Sequence, residues 1–295
     1  MFQAEVKVPG SCGELVQGRI NGDDFLVTCP IDRFSRCKVK LSYNYSGIKV
    51  NPAGSYKSIK AVKLTLALLD KKELGAEVHI NSDLIQGKGM ASSSADISAV
   101  TGGLLVALGE KIDLNLIKNI ALKIEPTDGV FLPGINLFDH ISGEKYKKLG
   151  EVLELDVLIF TEKGKINTCE FNVKSNLKKL KLQKEPLVKR AFDLLKTGFE
   201  KNDRIKIARG ATLSSIAHQK IIFKPYLNSL LDFINIYKFI YGINIAHSGK
   251  LIGILINPEV NNKAITELVK TIERKYVKLK FTGRNSIISG GLRLV

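Results

Sequence analysis

A chain of 295 residues, 44% hydrophobic and 25% charged, can bury a large core and has the composition of a globular protein, not of a fibrous or disordered one. No run of about 18 apolar residues is present to span a bilayer. The start, Met1-Phe2-Gln3-Ala4-Glu5-Val6-Lys7, lacks the basic-then-apolar order of a secretory leader.

The four cysteines, Cys12, Cys29, Cys37 and Cys169, make neither a Cys-x-x-Cys pair nor a disulfide framework, and the four histidines show no metal spacing. A cytoplasmic protein with no membrane role is the expectation. The net charge of +16 attracts anions. Yet the lysines and arginines are dispersed, in short clusters such as Lys145-Lys147-Lys148 and Lys178-Lys179-Lys181-Lys184. Aromatic-interleaved basic motifs are missing, so no obligatory nucleic-acid partner is expected.

Residues 3–8 alternate apolar and polar, as a strand does. Pro9-Gly10-Ser11-Cys12-Gly13-Glu14-Leu15-Val16-Gln17-Gly18 then breaks it; this is a hairpin connection, or a longer polar loop with a role of its own. Residues 24–29 and 34–41 read as strands with Pro30 between them. Residues 55–71 place Ile59, Val62, Leu66 and Leu69 at three- and four-residue steps, an amphipathic helix. Residues 75–81 form a strand.

The stretch Gln86-Gly87-Lys88-Gly89-Met90-Ala91-Ser92-Ser93-Ser94-Ala95-Asp96 follows, ahead of an apolar helix predicted over 96–108. Its serines fall at the helix start, where backbone N–H groups lack partners, and serine is a favoured N-cap. A glycine-rich turn feeding a helix N-terminus cradles phosphate; a plain capped loop is the alternative. Neither Walker A nor Gly-x-Gly-x-x-Gly fits, because Ser92 stands where the third glycine belongs.

A second helix over 114–123 takes Asp113 as N-cap. Residues 125–140, with Pro126, Asp128, Gly129, Pro133 and Gly134, read as a pair of turns, Asp128 being a turn former. A boundary is expected at 142–150, then a buried strand over 152–160. Helices over 185–199, 203–221 and 225–239 come next, with Pro186 and Pro225 in first turns. Residues 242–256 are strand, tight turn, strand. A helix over 260–275, a strand over 276–282 and a glycine-rich end complete an α+β chain.

Gly89-Met90-Ala91-Ser92-Ser93-Ser94-Ala95 resembles the second motif of the GHMP kinases (galacto-, homoserine, mevalonate and phosphomevalonate kinases), with Met for Leu and Ala for Gly. The usual proline a few residues earlier is missing. The Pro9 to Gly18 stretch, followed by Cys29-Pro30-Ile31-Asp32, resembles the first motif of one branch, the L-threonine kinases of cobalamin synthesis. Ser11 stands where several relatives have a lysine. Glu125-Pro126-Thr127-Asp128 with Leu137-Phe138-Asp139-His140 also looks like that branch, as does Ala246-His247-Ser248-Gly249, the third motif.

The resemblance implies the two-domain GHMP kinase fold. Residues 1–150 would be like domain 2 of ribosomal protein S5, residues 151–295 ferredoxin-like, with ATP between them. It implies transfer of the ATP γ-phosphate to a small-molecule hydroxyl, that of an amino-acid alcohol and most simply L-threonine, giving O-phospho-L-threonine. Gly87, Lys88, Gly89, Met90, Ala91, Ser92, Ser93, Ser94, Ser248 and Gly249 would hold the nucleotide. Mg²⁺ would sit on Ser94 (or Ser93) and Glu125. Asp128 would be the catalytic base. Ser11, Cys12, Gly13, Glu14, Gln17 and Gly18 would bind substrate, Glu14 taking the ammonium group. His140 reads as structural, and Arg209, Gly210 and Ser214 as bordering the cleft. Another GHMP acceptor (homoserine, a sugar, a mevalonate) and a non-catalytic anion- or RNA-binding protein are the rivals. Oligomeric state is not legible.

Overall fold

The computed structural model describes residues 2–152, 154–162 and 177–295. Cys169 and residue 153, at the start of the strand expected over 152–160, lie outside these. Strands β1 (Phe2–Ile20) and β2 (Asp23–Ser42) form a long hairpin. It turns at Asn21 and Gly22, whose φ values of 51° and 93° suit a tight hairpin turn.

The connection expected at residues 9–18 is not a connection. β1 runs through it, opposite β2, with register shifts between Pro9 and Ser11, Ser11 and Glu14, and Glu14 and Val16. Proline and glycine, which announce a turn, here mark bulges: the extra residues bend the strand and release it from a regular ladder. Gly13, at φ 57°, is one pivot. Pro30 likewise lies within β2, paired with Ser11.

The rest follows in order. β3 (Ile48–Asn51), α1 (Tyr56–Leu68) and β4 (Gly75–Ser82) place β3 parallel to β4. Then come α2 (Ser92–Ala107) and α3 (Leu114–Ile124), the latter capped as expected by Asp113, whose Oδ1 accepts from Asn115 and Leu116 amides at 2.8 and 3.1 Å. β5 (Ile135–Phe138) and β6 (Tyr146–Gly150) pair beside β2.

β7 (Asp156–Glu162) opens the second half. It is followed by α4 (Leu177–Glu200), α5 (Arg204–His218), α6 (Leu227–Ile234), β8 (Ile240–Ile245), β9 (Leu251–Ile256), α7 (Asn262–Lys275), β10 (Leu279–Ser286) and β11 (Arg293–Leu294). α4 starts earlier than its sequence suggests and carries Pro186 in its interior, not in a first turn. Packing outweighs propensity there: Lys181, Lys184, Val188, Ala191 and Leu195 are buried along it. α6 is shorter than expected, and Pro225 precedes it.

The sheet order is β10-β7-β9-β8-β1-β2-β4-β3. The two halves share it where Glu14 of β1 lies opposite Ile245 of β8 and where β11 pairs antiparallel with β1 at Val6 and Lys7; the bridges Ile31–Ile287 and Gly134–Gly290 also join them. α2 is apolar on every side because it is enclosed on every side; Ile97, Val100, Leu104 and Leu105 belong to a core that draws on both halves of the chain. A second core, including Leu158, Phe160, Ile254, Leu268 and Ile272, lies wholly in the second half. Among the described residues no helix is long and apolar enough to cross a membrane.

At Gly13 a Cβ would lie 2.6 Å from the Ile245 carbonyl carbon, on a backbone with φ of 57°. Gly47, at φ 77°, has open space around it. Gly13→Ala is therefore expected to cost about 2–4 kcal/mol, overpacking adding to the left-handed penalty, against about 1 kcal/mol for Gly47→Ala. Denaturant titration of both variants checks this.

Candidate active site

Residues 86–91 approach α2 through a backbone that only its last step makes possible. Ala91, with φ 54°, occupies the N-cap position in the left-handed region and offers no side-chain cap. No serine caps the helix: α2 begins at Ser92, four residues before the helix expected over 96–108, and Ala91 takes the cap position. Ser92, Ser93 and Ser94 form the first turn itself, where three amides and three hydroxyls cluster at the positive end of the helix dipole. Met90 is buried, and its carbonyl accepts from the Ser11 amide at 3.0 Å.

Two of these serines meet the segment after α3. The Ser93 hydroxyl donates to Glu125, whose other carboxylate oxygen is 2.6 Å from Lys57 Nζ; that ammonium also reaches Ser93 Oγ at 3.2 Å. Ser94 Oγ accepts from the Asp128 amide at 3.0 Å and lies 3.4 Å from Asp128 Oδ2. Glu125 is thus paired with Ser93, one of the two serines named from sequence beside it for the metal. Hydroxyl and carboxylate oxygens suit Mg²⁺, which takes one or two carboxylates plus substrate phosphates. Among the described residues no group of three His, Cys, Asp or Glu side chains forms a metal site without such phosphates.

The third motif closes over the loop. A Cβ on Gly89, whose φ is 96°, would lie 2.3 Å from the Ala246 Cβ, and one on Gly249 would lie 2.2 Å from the Lys88 carbonyl oxygen. The Lys88 side chain turns away, its Nζ donating to the Glu162 carbonyl. First and third motifs are stitched together. Asn244 Nδ2 donates to the Cys12 carbonyl, and Gln17 Nε2 to the Ile245 carbonyl at 3.2 Å. Gln17 Oε1 accepts from His247 Nδ1 at 2.8 Å.

The result is a cavity of about 230 Å³ lined by Glu14, Lys57, Gly87, Gly89 to Ser94, Glu125 to Asp128, His140 and His247 to Gly249. A second cavity, of about 530 Å³, shares Lys57, Gly87, Ser92 and Ser93 with it and extends past Tyr56 and Asp96. Of the sequence-predicted residues, Glu14, Asp128, Glu125, Gly87, Gly89, Met90, Ala91, the three serines, Ser248 and Gly249 come together. Ser11, Cys12, Gly13, Gln17, Gly18 and Lys88 do not line this cavity. Cys12, Cys29 and Cys37 are buried free thiols. Ser214 accepts from the Gln17 amide at 3.0 Å, and Arg209 borders a different hollow.

Electrostatics divide the wall. Removal from bulk water pushes Asp128 up to about 6, the Glu125 charge adding and the Ser94 hydrogen bond opposing. Burial, then the Asp128 charge, raises Glu14 well above the ordinary carboxylate range.

Around the other side, three histidines distant in sequence converge. The His140 and His247 rings lie 5.1 Å apart, and those of His218 and His247 5.5 Å. Lys184 Nζ sits 3.0 Å from His218 Nδ1, while His218 Nε2–H donates to the His247 carbonyl at 2.9 Å. Burial lowers His140 to about 4 and Lys184 to about 7, with Lys181 the next cause for each. Sequence reading missed Lys57, one cation among 45 Lys and Arg with no local signal, and His247 as a wall residue.

Residues 57–132 match the family described as "GHMP kinases N terminal domain". An L-threonine kinase of Salmonella typhimurium is 28% identical over 254 residues, 86% of this chain and 83% of that protein. One of Citrobacter freundii is 28% identical over 256 residues, 86% of each chain. Among solved structures, a homoserine kinase from Cytophaga hutchinsonii superposes with a TM-score of 0.73 at 16% identity, over 100% of this chain and 98% of that one. The architecture that the three motifs led us to expect is the one observed.

A carboxyl raised in the fold costs stability once ionised. The loss sets in as pH rises from the unfolded value of about 3.9 and is complete above the folded value of about 6. Asp128→Asn should thus melt higher than the parent at pH 7, the gap closing toward pH 4, when followed by calorimetry at both pH values.

Proposed function

We propose, for a chain related in sequence and fold to the GHMP small-molecule kinases, that it transfers the γ-phosphate of ATP to the side-chain hydroxyl of L-threonine. One observation carries the reading: three motifs far apart in sequence line a single cavity in which a carboxylate, Asp128, is tied to the first turn of α2 through Ser94. The two L-threonine kinase relatives support the choice of acceptor. The product would be O-phospho-L-threonine, for the aminopropanol arm of cobalamin synthesis.

Phosphoryl transfer asks for alignment and charge stabilisation more than for covalent chemistry. The first-turn amides and hydroxyls of Ser92 to Ser94 hold the triphosphate against Gly87, Gly89 and Ala91, with Ser248 and Gly249 across from them. The larger adjoining cavity receives the nucleoside. Ser93 and Glu125, with Ser94 beside them, would hold Mg²⁺, which would supply neutralisation of phosphate charge. Lys57 fixes the Glu125 carboxylate. Asp128 sets the acceptor hydroxyl in line and takes its proton. Glu14 receives the ammonium group, its burial sharpening the preference for a cation. The domain division falls near residue 150, the nucleotide lying between the halves.

Asp128 acts only when ionised. kcat/KM should therefore rise through about pH 6 and then level. Asp128→Asn is expected to lower kcat roughly 10²–10⁴-fold with ATP affinity little changed. Activity at wild-type level in that variant would remove Asp128 from the mechanism.

Ser93→Ala should raise the Mg²⁺ requirement more than Ser94→Ala does, measured as ADP release against Mg²⁺ concentration. A panel of L-threonine, homoserine, galactose and mevalonate, read by ADP release, tests the acceptor. Steeply salt-dependent RNA binding without ADP release would favour the anion-binding rival instead.

A further inference from the structure

Among the polar side chains of the acceptor cavity that the reading above leaves without a task, His140 presents two ring nitrogens. His140 is 4% exposed and lines the cavity, yet neither ring nitrogen has a hydrogen-bond partner among the described residues. A buried imidazole normally satisfies at least one N–H. Its neighbours are already committed. Asp139 spends its carboxylate on the amides of Ile141 and Ser142. His247, against which His140 packs, is tied by Nδ1 to Gln17. The His140 backbone carbonyl accepts from the Thr127 amide at 3.0 Å, so the ring stands beside the chain that carries Asp128.

The wall around it is polarised. The cavity is lined by two carboxyl groups, Glu14 and Asp128; burial and then the Asp128 charge oppose ionisation of Glu14, and the pair calls for a cation. Near His140 are Lys181, 3.1 Å from Asp24, and Lys184. Both act on the imidazole as positive charges, and Asp24 and Asp139 act on it as negative ones. A ligand matching this wall carries a positive group, a negative group and a hydroxyl. A sugar has neither charge; an α-amino acid has both.

We propose that His140 donates an N–H to the α-carboxylate of the acceptor, so that the cavity selects a zwitterionic amino acid. The assignment rests on the acceptor reading above. His140 is in this view a binding and positioning residue: it fixes the end of the substrate opposite the phosphoryl acceptor and leaves proton transfer to Asp128. One donated hydrogen bond to a buried charge is worth about 10- to 100-fold in discrimination.

The experiment compares L-threonine with 1-amino-2-propanol, which keeps the ammonium and the secondary alcohol but lacks the carboxylate, each by steady-state ADP release. The wild type should prefer L-threonine in kcat/KM by about 10- to 100-fold or more. His140→Leu should shrink that preference to a few-fold, through a raised KM for L-threonine with the KM for ATP held. His140→Gln, which keeps an N–H, should restore part of it. If both acceptors fall in step and the preference survives, the inference is overturned.

Should His140→Leu not fold, the imidazole ¹⁵N resonances of the wild type decide. A His140 shift with L-threonine and none with 1-amino-2-propanol supports the contact; no shift with either overturns it. Failure of the wild type to release ADP with any amino acid overturns the acceptor reading itself and takes this assignment with it. Activity on L-threonine that ignores loss of the carboxylate removes His140 alone.

Discussion

Two hydroxyl groups at the head of one helix, each bonded to a carboxyl group from the segment after the next helix, hold the centre of this molecule together. Ser93 meets Glu125 and Ser94 meets Asp128. The pairing needs the serines inside the first turn, and the left-handed backbone at Ala91 puts them there. A serine in the cap position would have spent its oxygen on the helix. With alanine there, the amides of the turn are left for an anion and the hydroxyls for the acids opposite. Burial, with the Glu125 charge beside it, gives the Asp128 carboxyl a raised affinity for protons, which is the property a base near neutral pH requires.

A second constraint makes that arrangement a cavity and not an exposed edge. β1 touches β8 through Glu14 and Ile245, and the bulges of β1 release its side chains from strict alternation. Glu14 faces the cavity while Cys12 and Gln17 bind the strand end and turn that bear the third motif. Gln17 uses both ends of its amide, one on the Ile245 carbonyl and one on His247, so it sets a histidine in place without lining the cavity itself. The close approach of residues 87–89 to Ala246 and Gly249 completes the wall from the opposite side.

The overall charge of +16 contributes little to this local design. What matters is the division of sign across a few ångströms: carboxyl groups by the bulged strand and the post-helix segment, imidazoles and lysines by α4 and the third motif. A single carboxylate among such cations would be an ordinary ion pair. Here Glu125 is paired with Lys57 and Lys181 with Asp24, while Glu14 and Asp128 line the cavity. Lys181 and Lys184 can be buried on α4 only because Asp24, the Gln17 carbonyl and His218 receive them.

The local chemistry of the chain was legible in its order of residues. The amphipathic pattern of α1, the Asp113 cap and the strand-turn-strand around Ser248 all formed where periodicity and cap chemistry place them, because each depends on neighbours within a few positions. The likeness to a kinase family was equally visible, since it resides in short motifs. Three things were decided only by the tertiary structure. Proline and glycine at residues 9–18 became bulges within a strand, because β2 on one edge and Ile245 at Glu14 offered pairing that outweighed their tendency to turn. Which serine meets which acid followed from one backbone dihedral at Ala91. The histidine cluster at 140, 218 and 247 joined residues with no common spacing, and a cation from α1 reached Glu125. Contacts of that kind are set by how sheets and helices stack, and no short-range pattern encodes them.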